Sequence, residues 1–201
     1  SSSVEIKPIA EVTYGNNVTI RYTVLNATTI KINVAYGGLV PVCYVTFDAN
    51  VSKYDGSLVL SNLAAGEYFV VVENDGNDNY TFSAAPAEFT VNKAEPTMQT
   101  EIRPNIKAGD ANVVVQVVLP ENATGKVMLL IDGEPTNQMG YDLINGTVNI
   151  TVPADFVNAG KRSYYVIYDG DDNYTSAYDL KSFEVSKADP MVIIAVIPDI
   201  N

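Results

Sequence analysis

Asp169-Gly170-Asp171-Asp172-Asn173-Tyr174 has a counterpart at Asp75-Gly76-Asn77-Asp78-Asn79-Tyr80, 94 residues earlier (169 − 75 = 94). Each stretch follows a run of aromatic and β-branched residues, 68–72 in one case and 164–168 in the other. Each is followed by Phe-x-Val-x-Lys-Ala-acidic-Pro, at 89–96 and again at 183–190. A fixed long period means one supersecondary unit used repeatedly. The expected organisation is therefore two tandem domains, 1–95 and 96–189. Residues 190–200 match 96–106 at the same spacing, so 190–201 reads as the truncated start of a third repeat.

Working outward from that signature, the apolar pattern has a period of two almost everywhere. Val18-Thr19-Ile20-Arg21-Tyr22-Thr23-Val24 alternates cleanly, which predicts a strand with one buried face. Further strands are predicted at 4–12, 30–34, 42–47, 57–60, 67–73 and 87–92, with turns at Gly37-Gly38 and Asp55-Gly56. In the second repeat the predicted strands are 98–106, 113–119, 127–131, a weaker piece near Tyr141, 147–152, 163–168 and 178–186. Asp132-Gly133 and Asn145-Gly146 are preferred hairpin pairs. No segment carries a helical stripe, and 153–158 is expected to form a single loose turn. About seven short strands per repeat predict an all-β chain of two tandem immunoglobulin-like antiparallel β-sandwich domains. Pro96 cannot continue a ladder and biases Glu95 toward extended geometry, so the boundary falls there.

Composition excludes several function classes. Of 201 residues, 24 are acidic and 12 basic, giving a formal charge of −12. That sign opposes nucleic acid and anionic membrane surfaces as direct partners. No histidine is present, which removes the usual general base and the commonest metal ligand. The single cysteine, Cys43, allows no intrachain disulfide and is expected to be a buried thiol. No run approaches the ~20 apolar residues needed to span a bilayer. Membrane insertion is not expected of this chain, and any targeting or anchoring segment is expected to lie outside it.

Ala65-Gly66-Glu67-Tyr68, the loop 76–80 and the run 89–96, with their second copies between Ala159 and Pro190, carry a family resemblance. The pattern resembles the Ig-like repeats of archaeal adhesin-like surface proteins, and covers both repeats and the start of the third. The resemblance implies a large, secreted, surface-displayed methanogen protein built as an array of such domains, each neighbouring the next. Two departures stand out: Arg162 occupies the position equivalent to Tyr68, and Asn77 replaces an aspartate in the first loop.

Candidate sites come from three residue classes. Asp, Asn and Gly are what tight connections require, because they tolerate left-handed backbone and bond locally. Clustered carboxylates also supply hard oxygen ligands for calcium. Strand counting puts the loops 169–173 and 120–125 at the same pole as the linker, so Glu95, Asp169, Asp171 and Asp172 form a candidate calcium site, with Glu121 nearby. Calcium is the only cofactor considered. Asn-x-Ser/Thr triplets occur at Asn17, Asn26, Asn50, Asn79, Asn122, Asn145, Asn149 and Asn173, each a potential glycosylation acceptor. Tyr36, Tyr54 and Tyr141 are candidate sugar-stacking rings, and Lys31 and Lys126 are candidates for a lysine–asparagine cross-link.

No nucleophile–base pair is evident, so no catalytic residue is expected. The function expected is a non-enzymatic, extracellular adhesin-like module that attaches to a protein or glycan on another surface. Purely structural spacers displaying a distal binding domain are the alternative, and a non-catalytic accessory to an enzyme is a third.

Overall fold

The computed structural model describes residues 1–192; the rest of the predicted third repeat lies outside the described residues. The chain divides into two compact units: Ser1–Glu95 with Asp172–Thr175, and residues 96–171 with those from 176 onward. The four-residue insert was expected in the second repeat. It groups with the first unit, where Tyr174 forms an isolated parallel bridge to Ala94.

The first unit has six strands: β1 (Ser3–Ile6), β2 (Val12–Thr13), β3 (Val18–Tyr36), β4 (Val40–Leu60), β5 (Gly66–Asn74) and β6 (Ser83–Asn92). They form one sheet in the order β1-β3-β5-β6-β2, with β4 on the other edge of β3. The two strands predicted at 18–24 and 30–34 are thus one, as are those at 42–47 and 57–60. Asn26 and Asn50 explain the fusion. Both hold a left-handed backbone, φ 53° and 48°, on the paired strands where the register shifts between Ala27 and Thr29. Asparagine tolerates that conformation, so the hairpin bends there without a loop. The two halves of β3 then line one core: Val18, Ile20, Tyr22 and Val24 from the first, Ile30, Ile32 and Val34 from the second.

The turn predicted at Asp55-Gly56 does not form. Gly56 lies inside β4 opposite Tyr22. A Cβ on Gly56 would fall against the Tyr22 ring, which fills that space and stacks on Tyr54. The aromatic cover replaces the missing side chain, so glycine here serves a strand. The hairpin itself turns at Gly37-Gly38, both left-handed, as expected. Cys43 is half-buried on β4 and packs against the core rather than lying within it.

The second unit is a two-sheet sandwich. Strands β7 (Gln99–Ile102), β9 (Val114–Val118) and β13 (Thr147–Thr151) make one sheet, in the order β13-β9-β7. The other sheet contains β8 (Ile106–Lys107), β10 (Lys126–Ile131), β11 (Glu134–Pro135), β12 (Tyr141–Asp142), β14 (Gly160–Tyr168) and β15 (Ala177–Ser186). Its order is β11-β10-β14-β15-β8, with β12 also on β10. Val115 and Val117 face Val127, Leu129, Tyr164 and Val166 across a fully buried interior. Asp132-Gly133 and Asn145-Gly146 make the predicted tight turns, with both residues of each pair left-handed. Residues 154–156 form one 3-10 turn. Each unit also has a short parallel pair, β2 with β6 and β8 with β15, in an otherwise antiparallel ladder.

Strand positions 94 residues apart are buried alike in the two units. Val70, Val72, Phe89 and Val91 correspond to Tyr164, Val166, Phe183 and Val185 at the 94-residue spacing, and all eight are buried. The chain is all-β, with sandwich cores packed from alternating strand residues.

Candidate functional site

The acidic loops are held by hydrogen bonds and an ion pair, some within the loop and some from a neighbouring strand or loop. In the first unit the Asn77 Oδ1 accepts the backbone N–H groups of Asn79 and Tyr80 at 2.9 and 3.0 Å, an Asx turn that closes the loop on itself. The Asp75 carboxylate lies 2.7 Å from the Lys31 Nζ. That bond raises the lysine above its ordinary pKa. In the second unit one Asp171 oxygen accepts both the N–H and the hydroxyl of Thr124, at 2.8 and 3.0 Å. The loops 169–173 and 120–125 therefore do meet at one pole. They meet through a threonine clamp on a carboxylate.

Glu95, Asp169 and Asp172 are exposed. Among the described residues no group of three or more Asp, Glu, Cys or His side chains is placed to hold a metal ion, and the four proposed calcium ligands form no such group.

The asparagine triplets divide into two sets. Asn17, Asn79, Asn122 and Asn149 are exposed. Asn26, Asn50 and Asn145 hold left-handed backbone at the bend and at a hairpin turn, so the fold itself calls for asparagine there. Asn26 is also half-buried and donates its amide to the Ser1 carbonyl, and Asn173 is half-buried. Thr28, the hydroxyl residue of the Asn26 triplet, is buried and bonded to Asn74 and to the Gly76 carbonyl. Thr124 of the Asn122 triplet is the Asp171 clamp. The recurring Asn-Ala-Thr thus has a structural use in both units: a buried alanine followed by a threonine that ties the next loop down.

Each candidate sugar-stacking tyrosine has a partner within its own unit. Tyr36 meets Tyr68 edge-on at 5.2 Å, Tyr54 packs between Tyr22 and Phe47, and the Tyr141 hydroxyl bonds Thr136 at 2.8 Å. The two cross-link lysines each face an aspartate rather than an asparagine, Lys31 on Asp75 and Lys126 on Asp142.

Two electrostatic features were not expected. Asp132 accepts the Ser163 backbone N–H at 2.8 Å and pairs with Arg162 at 2.9 Å. The Ser163 bond first, and then the guanidinium, hold its carboxyl below the usual aspartate value. Arg162, the departure from the family pattern, is therefore the brace of this hairpin. On the opposite side of β15, Asp179 accepts the Thr100 hydroxyl at 2.6 Å, Thr100 bonds the Tyr164 hydroxyl at 3.0 Å, and Lys181 donates to the Thr100 carbonyl at 2.6 Å. These partners are 64 to 81 residues apart, which hides the network from a linear reading. It is fully bonded and serves to lock β7 to β15.

Residues 22–105 match the family model described as the SpaA prealbumin-like fold domain. That span is 84 of 201 residues (105 − 22 + 1 = 84) and crosses the division between the units. No curated protein matches the chain. Among solved structures, the fibronectin(III)-like modules of Clostridium thermocellum CbhA match at 16% identity and TM-score 0.39, covering 96% of this chain and 100% of theirs. The titin domains z1z2 in complex with telethonin match at 13% and TM-score 0.44, covering 92% and 98%. The BSP domain of a biofilm associated protein matches at 16% and TM-score 0.30 over 94% of this chain, which spans 30% of that one.

Proposed function

We propose that the chain is a non-enzymatic module of an extracellular, surface-displayed, adhesin-like protein, two repeats from a longer array. The observation that carries this reading is the repetition itself. The loop signature and the buried strand positions recur at 94 residues, and the acidic loops are tied down by hydrogen bonds. Such units stack into extended arrays whose stability rests mainly on each repeat and its neighbour. The similarity to the SpaA prealbumin-like domain supports a module of this kind. The absence of histidine from the sequence supports a non-catalytic role. Among the described residues no helix is long and apolar enough to cross a membrane. In this reading the exposed asparagines, Asn17, Asn50, Asn79, Asn122, Asn145 and Asn149, are the glycan acceptors. Archaeal origin and attachment to another cell belong to the same proposal. The spacer reading differs only in leaving recognition to another domain.

Antibodies raised against the folded chain test it on intact cells of the source organism. Labelling without permeabilisation, removed by brief external proteolysis, is the expected result. Labelling that requires permeabilisation would refute a surface location.

A further inference from the structure

The tripeptide Asn-Tyr-Thr closes the acidic loop in both copies, at 79–81 and at 173–175, and the two are used differently. The segment Asp172–Thr175 belongs to the first unit. There the Asn173 Oδ1 accepts the Ala65 N–H at 3.0 Å, and the Asn173 carbonyl accepts the Ala94 N–H at 3.0 Å. The Thr175 N–H donates to the Ala94 carbonyl at 2.9 Å. Tyr174 is 8% exposed and meets the Tyr14 ring edge-on at 5.4 Å. The receiving backbone groups belong to two of the repeated signatures, Ala65-Gly66 and Lys93-Ala94-Glu95-Pro96.

The other copy of each element stands open. Asn79 and Thr81 are exposed, and Tyr80 is 36% exposed. Among the described residues the Asn79 Oδ1, the Asn79 carbonyl and the Thr81 N–H have no hydrogen-bond partner. The loop is nonetheless preformed by the Asn77 Asx turn and by the bridge between Asn77 and Tyr80. In the second unit the receiving signatures recur at Ala159-Gly160 and Lys187-Ala188-Asp189-Pro190. The Ala159 N–H and both backbone groups of Ala188 likewise lack partners among the described residues. The two receiving turns are held alike: Tyr36 donates its hydroxyl to the Ala65 carbonyl at 3.4 Å, and Arg162 donates to the Ala159 carbonyl at 3.0 Å. Ala108 stands 94 residues after Tyr14, so the backbone groups recur and the ring contact does not.

We propose that Asn79-Tyr80-Thr81 is a docking loop whose partner is a further repeat of this kind, placed before it and receiving it on its Ala-Gly and Lys-Ala-acidic-Pro segments. The proposal rests on the surface-module reading for the array itself and specifies how its repeats join. The occupant is selected by a contact the chain already makes, in which the identical tripeptide is held by the same two signatures. Each repeat then carries a loop for the repeat before it and a receiving segment for the one after. That is a head-to-tail contact, which extends rather than closes. Three hydrogen bonds to backbone are weak between free chains. They gain strength where a short linker holds the partners at millimolar effective concentration. Docking covers Asn79 as Asn173 is covered, so a glycan on Asn79 and a preceding repeat are alternatives.

The test compares the full chain with a tandem of two copies, both produced without glycosylation, by amide hydrogen exchange. Pro190 of the first copy is joined to Ser3 of the second, so that it takes the place of Ser2 and the 94-residue period continues. In the single chain Asn173→Ala should speed exchange of the Ala65 amide, while the Ala159 and Ala188 amides exchange freely. In the tandem, Ala159 and Ala188 of the first copy should slow about tenfold or more. Asn79→Ala in the second copy should release Ala159 more than Ala188, and Asn79→Ala with Tyr80→Ser should release both. Unchanged exchange of the Val70 and Ile32 amides confirms that the variants are folded. Fast exchange at both alanines in the tandem overturns the proposal. So does protection that survives both variants, or an Ala65 amide indifferent to Asn173→Ala. None of these results bears on the cell-surface labelling, so failure of the docking loop and failure of the surface reading are told apart.

Discussion

Replacing Asn74 with alanine tests the account of how the first unit bends. Asn74 is fully buried at the end of β5. Its Oδ1 accepts the N–H and the hydroxyl of Thr28, both at 2.8 Å, and its Nδ2 donates to the Asn26 carbonyl at 3.1 Å. The amide thereby satisfies the backbone groups that the bend in β3 releases from the ladder. In Asn74→Ala the Thr28 hydroxyl still has the Gly76 carbonyl at 3.2 Å, but the Thr28 N–H and the Asn26 carbonyl are orphaned. Each buried orphan costs about 1–3 kcal/mol, so the loss should be about 3 kcal/mol. For a domain of this size that is a fall in melting temperature of about 15 °C. Calorimetry of the full chain should show one transition lowered by that amount, and exchange of the Thr28 amide should accelerate. Thr28→Val, which keeps the backbone donor, should cost only about 1 kcal/mol. The two changes should also couple, because they share a partner. A loss below about 1 kcal/mol for Asn74→Ala, or strict additivity with Thr28→Val, would refute the bridging role.

Val70→Ala and Val166→Ala remove fully buried side chains from equivalent strands and should each cost about 2 kcal/mol by denaturant titration. Asp132→Asn probes the β10–β11 hairpin through pH. The folded carboxyl titrates below its ordinary 3.8, so its contribution is present at neutral pH and lost as pH falls through the folded value. Parent and variant should therefore differ by about 1 kcal/mol near neutrality, the pair being part-exposed, and converge in acid. Gly56→Val should overpack against Tyr22 at a cost of about 1–3 kcal/mol, with Tyr22→Leu in the same chain recovering part of it. Millimolar calcium tests the candidate ligands Glu95, Asp169, Asp171 and Asp172, and an unchanged melting temperature would leave their loops as plain turns. A rise of several degrees, abolished by Asp171→Ala with Asp172→Ala, would restore the calcium site.

What could be read from the sequence was what depends on neighbours in sequence. Alternation placed Val70, Val72, Tyr164 and Val166 inward, and the Gly37-Gly38, Asp132-Gly133 and Asn145-Gly146 pairs marked real hairpins, since two residues alone settle each turn. Gly56 misled because its meaning depends on Tyr22, its partner across the ladder. The bend at Asn26 and Asn50 misled for the same reason: each looked like a loop residue until β3 and β4 were paired, with Ala27 opposite Val51. At the loops the carboxylates were visible, but their donors were not. Lys31 reaches Asp75 and Thr124 reaches Asp171 only once the strands are paired. Asp75 and Asp171 thus have donors that composition alone does not reveal.

A tandem repeat separates fold from function by its own internal comparison. Where the two copies agree, at Phe89 and Phe183 or Val91 and Val185, the residue is buried and the sandwich needs it. The Asn-Ala-Thr triplet agrees as well, and it proves to be a loop clamp, with Asn74 as the acceptor in one unit and Asp171 in the other. Agreement between copies therefore selects architecture, including motifs that look like modification sites. Recognition is to be sought where the copies disagree on an exposed face while the backbone stays the same.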